Sequence, residues 1–488
     1  MKVFRLTACL VVAMLLLSSC GIIIINRGDG TEAGTESETG FAPPPHIYES
    51  QDYPLATETD GEAVSRNRLK ALPDKDMGGK TVFFAVAQEA GYAFNEEDSL
   101  YRAMVLKRNG MVNEKYNTQI ITECLTAETL YDTVMKAEKS GDFFSDFLVL
   151  RSGDMNPYLL AGYLLNLKSL PFTDYSAPYF NQEAMSQLTL GGAVYGAVGD
   201  ATEQLEHYVC LYFNKTYAKE LGVSCPYEDV YEGTFTWERF LTSLSGLPEG
   251  AVGFVSAFSD SNTAAMSFFS GGGNFLVANQ KGKLRLACEN DVATALVGHV
   301  KSLLKLDTPS LTWTPAGKDE TEKLEGFDIF EKGQALYAMG TLDKMELLEN
   351  AGFSWEVLPL PKVSTDAPYS TPLTGNAPII VALASSQNVD TMGYILQAVN
   401  AASCGYVINE FYTDAMRRLI TGVNTLDMLD IIRENPLYDI GFMLGEDAKA
   451  VREGTYGSFY EAVKGKHAFS SYLDKKESAL NKYLDKLL

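Results

Sequence analysis

Histidine is scarce in this chain. Four occur in 488 residues (His46, His207, His299 and His467), and none stands at a spacing that makes a catalytic or metal site. There is no Gly-x-Ser-x-Gly elbow, no His-Glu-x-x-His helix and no EF-hand loop. With 63 acidic residues, chance carboxylate pairs are unavoidable, so a pair without a motif does not define glycoside hydrolysis. Gly79-Lys80-Thr81 spells the end of a phosphate loop, but Asp74 stands where the first glycine belongs and a strand follows. Gly271-Gly272-Gly273 reads as a turn, because no Gly-x-Gly-x-x-Gly follows a strand there. No catalytic residue, metal or cofactor is expected. What remains is the chemistry of holding a solute: carboxylates accept from two hydroxyls, and aromatic rings cover apolar faces. Ligands of open α/β sheets sit beyond the carboxyl ends of strands. That rule nominates Gln88 and Glu89 after the first strand and Asp154 after the third. Of the three tryptophans, Trp237 in a capped helix and Trp355 in a strand read as core; Trp313, in a Thr/Pro loop, is the ligand candidate.

The elements that must position these groups alternate between strand and helix. Thr81–Ala87 is a short β-branched and aromatic run, followed by helical spacing over Ser99–Lys115, a strand over Gln119–Thr122, a helix over Leu130–Ser140 and a strand over Asp146–Leu150. Such alternation with short crossovers predicts a parallel sheet. The apolar run Tyr208–Phe213 then ends at Asn214, an N-cap for a helix over Thr216–Leu221 that Gly222 stops. Thr236 caps the next helix, with Glu238 in its first turn. Further helices are expected over Ala293–Leu304, Val389–Ala402, Thr425–Ile432 and Asp447–Lys464, and strands over Trp355–Leu360 and Ala377–Ala384.

The length allows two or three domains. A net charge of -23 argues against a nucleic-acid partner, which needs clustered Lys and Arg. Lys2 and Arg5 precede an apolar run, Leu10–Leu17, that is too short to span a bilayer. Leu17-Ser18-Ser19-Cys20 resembles a bacterial lipobox, which makes residues 1–20 a lipoprotein signal peptide and Cys20 the lipid-modified residue. Residues 21–76 read as a disordered tether rich in Gly, Thr, Glu and Ser, with order beginning near Lys80. The expected location is the outer face of the bacterial cytoplasmic membrane. Seven cysteines, widely spread and without CxxC spacing, form neither a disulfide framework nor a zinc site; Cys210–Cys225 is the single bridge considered.

Several phrases stand in a telling order: Asn109-Gly110-Met111-Val112-Asn113-Glu114-Lys115-Tyr116, Asp146-Phe147-Leu148-Val149, Tyr212-Phe213-Asn214-Lys215, Leu221-Gly222, Thr236-Trp237-Glu238 and Phe330-x-x-Gly333-x-Ala335-x-x-x-x-Gly340. Together they resemble the extracellular solute-binding proteins (family 1, sugar-binding type) of bacterial ABC transporters, in lipoprotein form, over about Lys80 to Lys464. The resemblance implies an α/β, two-lobed periplasmic-binding-protein-like fold of type II, each lobe a mainly parallel sheet flanked by helices, with a cleft and hinge between. Residues 77–202 plus 362–415 would form one lobe, and 203–361 plus 416–488 the other. It implies ligand contacts from Asp154 and, at the crossover, from Glu206, His207 and Tyr208. Where maltodextrin-type relatives place an aromatic platform after the glycine matching Gly340, this chain has Thr341-Leu342-Asp343, so Thr341 and Asp343 take that place. This departure disfavours a long α-glucan and leaves other sugars, oligosaccharides and polar solutes open. The implied partners are a small molecule, ABC permease subunits and, through the anchor, the membrane, for a monomeric protein. A same-fold module signalling to a membrane sensor and a surface glycoside hydrolase are the alternatives; permease genes nearby and a glycosidase assay discriminate them.

Overall fold

The computed structural model describes residues 58–90, 94, 102–258, 261–278, 283–287, 291–306, 326–404, 424–445 and 448–487; Cys20 and Trp313 lie outside them. Its first element corrects the tether boundary, because helix α1 (Glu58–Ala71) forms where composition predicts an unstructured linker. Local pattern does not signal it. Tertiary contact holds it: Leu69 is buried, Ser65 Oγ donates to the Ala402 carbonyl at 2.9 Å, and Arg68 Nη1 pairs with Asp200 Oδ2 at 2.7 Å.

Strand β1 (Lys80–Ala87), helix α2 (Arg102–Tyr116), strand β2 (Thr118–Leu125), helix α3 (Ala127–Ser140) and strand β3 (Phe147–Arg151) follow in the expected alternation. β1 lies between β2 and β3 and is parallel to both, with Phe84 opposite Thr122 on one side and Phe147 on the other. Its last four residues, Phe84 to Ala87, are all buried, as expected of a parallel strand covered on both faces. The Phe84 ring stacks on Phe94 at 5.1 Å and on Phe147 at 4.8 Å. A short helix, α4 (Met155–Leu160), leaves the end of β3.

The chain then enters a second sheet through β4 (Val209–Asn214). Asn214 Oδ1 accepts from the Tyr217 amide and starts α5 (Lys215–Leu221), and Thr236 caps α6 (Trp237–Ser245) in the same way. Strands β5 (Phe254–Ser256), β6 (Tyr337–Thr341) and β7 (Trp355–Leu358) complete the sheet in the order β7-β4-β6-β5. This sheet is mixed, not mainly parallel: β4 runs antiparallel to both β6 and β7, and only β5 and β6 are parallel. β4 arrives directly from the first sheet, so no βαβ crossover within its own sheet sets its direction. Strand β8 (Pro378–Ala382) returns to the first sheet antiparallel to β3, giving the order β8-β3-β1-β2.

Helix α7 (Val389–Ser403) is buried throughout its length after Val389 and Asp390 and packs against α1 and α2. Helix α8 (Asn424–Glu434) lies against β7. The single helix predicted near the C-terminus is two, α9 (Lys449–Gly454) and α10 (Tyr456–Lys464), because Thr455 leaves helical geometry at φ -112°, ψ -103°. Cys210 and Cys225 are free thiols, as are Cys124 and Cys404. Trp237 and Trp355 are core residues, as their settings predicted. Among the described residues no helix is long and apolar enough to cross a membrane.

Candidate ligand-binding site at the strand ends and the crossing

Two groups of polar side chains arise where strands end. In the first, β1 runs into a 3-10 turn at Gln88–Ala90 and β3 into another at Ser152–Asp154. Gln88 and Glu89 are both exposed. Glu89 is partly committed, since Oε2 accepts from the Ala127 amide at 2.9 Å and so satisfies an otherwise open donor at the start of α3. Asp154 is held in a fork by its neighbour: Arg151 Nε reaches Oδ2 at 2.6 Å and Nη2 reaches Oδ1 at 2.8 Å. About a third of each side chain is exposed, so the pair presents acceptors and donors together to whatever approaches. Sequence reasoning missed Arg151 as a site residue, although its spacing of three from Asp154 was visible. It also missed Tyr131, whose partly exposed ring meets Tyr158 edge-on at 5.6 Å. Tyr158 lies close enough to Asp154 for that charge, after burial itself, to push its hydroxyl pKa up. Tyr131 therefore places an aromatic surface near the Arg151–Asp154 pair, and only the packing of α3 on β1 brings it there.

The second group sits where the chain passes between sheets. Leu205–His207 forms a 3-10 turn leading into β4, with Glu206 and His207 half-buried. Tyr208 is only 2% exposed and belongs to the core. The turn after β6 packs on this one, and the Leu342 amide donates to the Tyr208 carbonyl at 3.0 Å. Thr341 is buried and its hydroxyl donates to the exposed Asp343 carboxylate. The tyrosine hydroxyl of Tyr212 donates to the Thr341 carbonyl at 2.8 Å.

A short segment before β8 ties the two groups together. The Thr374 amide donates to the His207 carbonyl at 3.2 Å, the Gly153 amide to the Gly375 carbonyl at 2.9 Å, and Arg151 Nη1 reaches Asn376 Oδ1 at 3.5 Å. Tyr208 and Leu373 also form an antiparallel bridge. Asp154, Glu206, His207, Thr341 and Asp343 thus belong to one connected neighbourhood around the crossing.

Burial without a charged partner pulls His207 down from 6.5 to about 4, so its ring is neutral at physiological pH and can both donate and accept. The folded state binds this proton less readily than the unfolded chain. Its contribution is therefore fully present above pH 6.5 and is lost as pH falls from there towards about 4. A loss on the order of 1–3 kcal/mol is expected, at the lower end if water reaches the half-buried ring. Denaturant unfolding of the parent and His207→Asn across that range checks it. The slope should flatten in the variant, and an unchanged slope would assign it to other groups. Glu356 and Asp439 run the opposite way: burial raises both, so the folded state keeps their protons longer and the associated stability fades as pH rises above the ordinary carboxylate range.

No protein-family model matches this chain, and no curated protein matches it. Solved structures do. The galacto-N-biose-/lacto-N-biose I-binding protein of an ABC transporter from Bifidobacterium longum, in complex with lacto-N-biose, is similar with a TM-score of 0.55 at 13% identity, over 85% of this chain and 99% of that one. The sugar-binding protein MalE of Xanthomonas citri gives a TM-score of 0.56 at 13% identity, over 83% and 98%. An ABC substrate-binding protein of Listeria monocytogenes, in complex with cycloalternan, gives 0.51 at 16% identity, over 83% and 99%. The chain has their two-lobed, periplasmic-binding-protein-like α/β fold.

Proposed function

We propose that this protein is a solute-binding receptor that captures a sugar or oligosaccharide between two lobes and delivers it to an ABC permease. The observation that carries the reading is the junction at Thr374–Asn376. There, polar groups at the strand ends of the first sheet meet those at the entry to the second. The lobes would divide as residues 77–202 plus 362–415 and 203–361 plus 416–488, with α1 added to the first. The site would combine neutral donors and acceptors with a few carboxylates and the Arg151 guanidinium paired to Asp154, a set suited to hydroxyl-rich ligands. The similar solved structures include sugar complexes on the same fold, and this supports a sugar as the cargo. Catalysis is not part of the proposal. The motif ending at Cys20 supports a lipid anchor on the outer face of the cytoplasmic membrane, which labelled-lipid incorporation into the parent but not into Cys20→Ala would test.

Calorimetry against a panel of neutral disaccharides and short oligosaccharides, lacto-N-biose and maltose among them, tests the function. At least one sugar should bind the parent. Asp154→Ala and Glu206→Ala should each weaken that sugar by roughly ten- to a hundredfold, the loss of a charge-assisted hydrogen bond worth about 1.5–3 kcal/mol. Melting temperatures should change little for these half-exposed side chains. No binding to any sugar would refute the function; parental affinity in both variants would move the site elsewhere.

A further inference from the structure

Gln204, the residue just before the Leu205–His207 turn, is 5% exposed, and neither end of its side-chain amide has a hydrogen-bond partner. Two other buried amides, Asn214 and Asn400, are closed at both ends, while Asn274 and Gln397 each leave only the oxygen open. Asn214 accepts from the Tyr217 amide and donates to the Gly333 carbonyl; Asn400 accepts from the Ala201 amide and donates to the Leu396 carbonyl. Among the described residues, Gln204 is the one amide buried with both ends open. A second open group lies on the other strand of the same crossing: the Thr374 hydroxyl is buried without a partner, while the Thr374 amide donates to the His207 carbonyl. A leucine of similar volume would avoid stranding these atoms, so the amide serves something other than packing.

We propose that Gln204 and Thr374 form a subsite at the crossing that reads a vicinal diol of a neutral sugar. This deepens the proposed function and rests on it. One hydroxyl of the pair donates to Gln204 Oε1 while its neighbour accepts from Nε2, and the Thr374 hydroxyl, able to donate or accept, engages the same ring. Complementarity selects the class. A carboxylate or phosphate only accepts and leaves Oε1 open, whereas an ammonium group only donates and leaves Nε2 open. A secondary amide in its usual trans form points its N–H and C=O in opposite directions and meets one end alone. Two adjacent hydroxyls meet both. Because the amide is shut away from solvent in this arrangement, a diol reaches it only when the crossing opens, and its two hydroxyls then give both ends of the amide a partner. Gln204 thereby links recognition to the arrangement of the crossing.

The test compares the parent, Gln204→Leu and Thr374→Val by thermal unfolding and by calorimetry. The probes are the same saccharide panel and, for a sugar that binds, its monodeoxy analogues. Sugar-free Gln204→Leu should melt at or above the parental temperature, because an unmet amide is replaced by an apolar group of similar size. It should bind the sugar at least about tenfold more weakly, and Thr374→Val should also weaken it. Two monodeoxy analogues, each lacking one of two adjacent hydroxyls, should each narrow the affinity gap between the parent and Gln204→Leu, which identifies the pair that is read. Parental affinity in Gln204→Leu would overturn the subsite while leaving the receptor function standing. So would a clear drop in its sugar-free melting temperature, the mark of an amide satisfied within the protein. If no sugar in the panel shifts or binds the parent, the proposed function itself fails, and the subsite with it.

Discussion

Gly199→Ala is expected to destabilise the protein by about 1–3 kcal/mol or more and to weaken ligand binding at the same time. A Cβ at this position would lie 2.3 Å from the Tyr179 carbonyl oxygen and 2.5 Å from Asn400 Oδ1. Neither atom can move aside cheaply. The Tyr179 carbonyl accepts from the Asp200 amide at 3.0 Å; Asn400 Oδ1 accepts from the Ala201 amide at 3.2 Å while its Nδ2 is tied to α7 through the Leu396 carbonyl. The backbone of the crossing must shift instead. That segment is pinned on two further sides, by Arg68 on Asp200 and by Arg433, from α8, on Glu203. Gln204, Glu206 and His207 follow directly, so displacement reaches the site. Denaturant unfolding with calorimetry on the variant measures both effects, and a parental midpoint would show that the crossing is looser than this packing implies.

Tyr212→Ala should cost about 3–5 kcal/mol, the range for emptying a buried aromatic site. Tyr212 is fully buried on β4, with its ring 5.2 Å from Phe327, 6.0 Å from Phe330 and 5.9 Å from Trp355. Tyr212→Phe keeps the ring and loses only the hydrogen bond to the Thr341 carbonyl, so about 0.5–1.5 kcal/mol is expected. The contrast between the two variants separates packing from hydrogen bonding. A loss below about 1 kcal/mol in Tyr212→Ala would mean that the second sheet does not depend on this strand as its centre.

What could be read from the sequence was local. Asn214 and Thr236 cap the helices they were expected to cap, because a side-chain oxygen reaching an amide three residues on needs no tertiary partner. The buried runs at β1 and β4 were legible for the same reason, through composition and length. Helix α1 was not, since its stability comes from α7 and Asp200, far away in sequence. Nor was the mixed direction of the second sheet, because the relative direction of its strands follows from how the chain connects them across a long separation in sequence. Within the site, Asp154 was named from its place after the third strand and from the family resemblance, and His207 from that resemblance. That Asp154 is already engaged by Arg151, and that Gln204 is stranded beside a turn, are properties of packing that no motif announces.

The most direct test of the account is solution scattering of the intact protein, alone and with a saturating neutral sugar from the calorimetric panel. A receptor with two lobes joined at this crossing should contract on binding, giving a smaller radius of gyration in the saturated sample. An identical profile at saturation would contradict capture by closure, whatever the affinity.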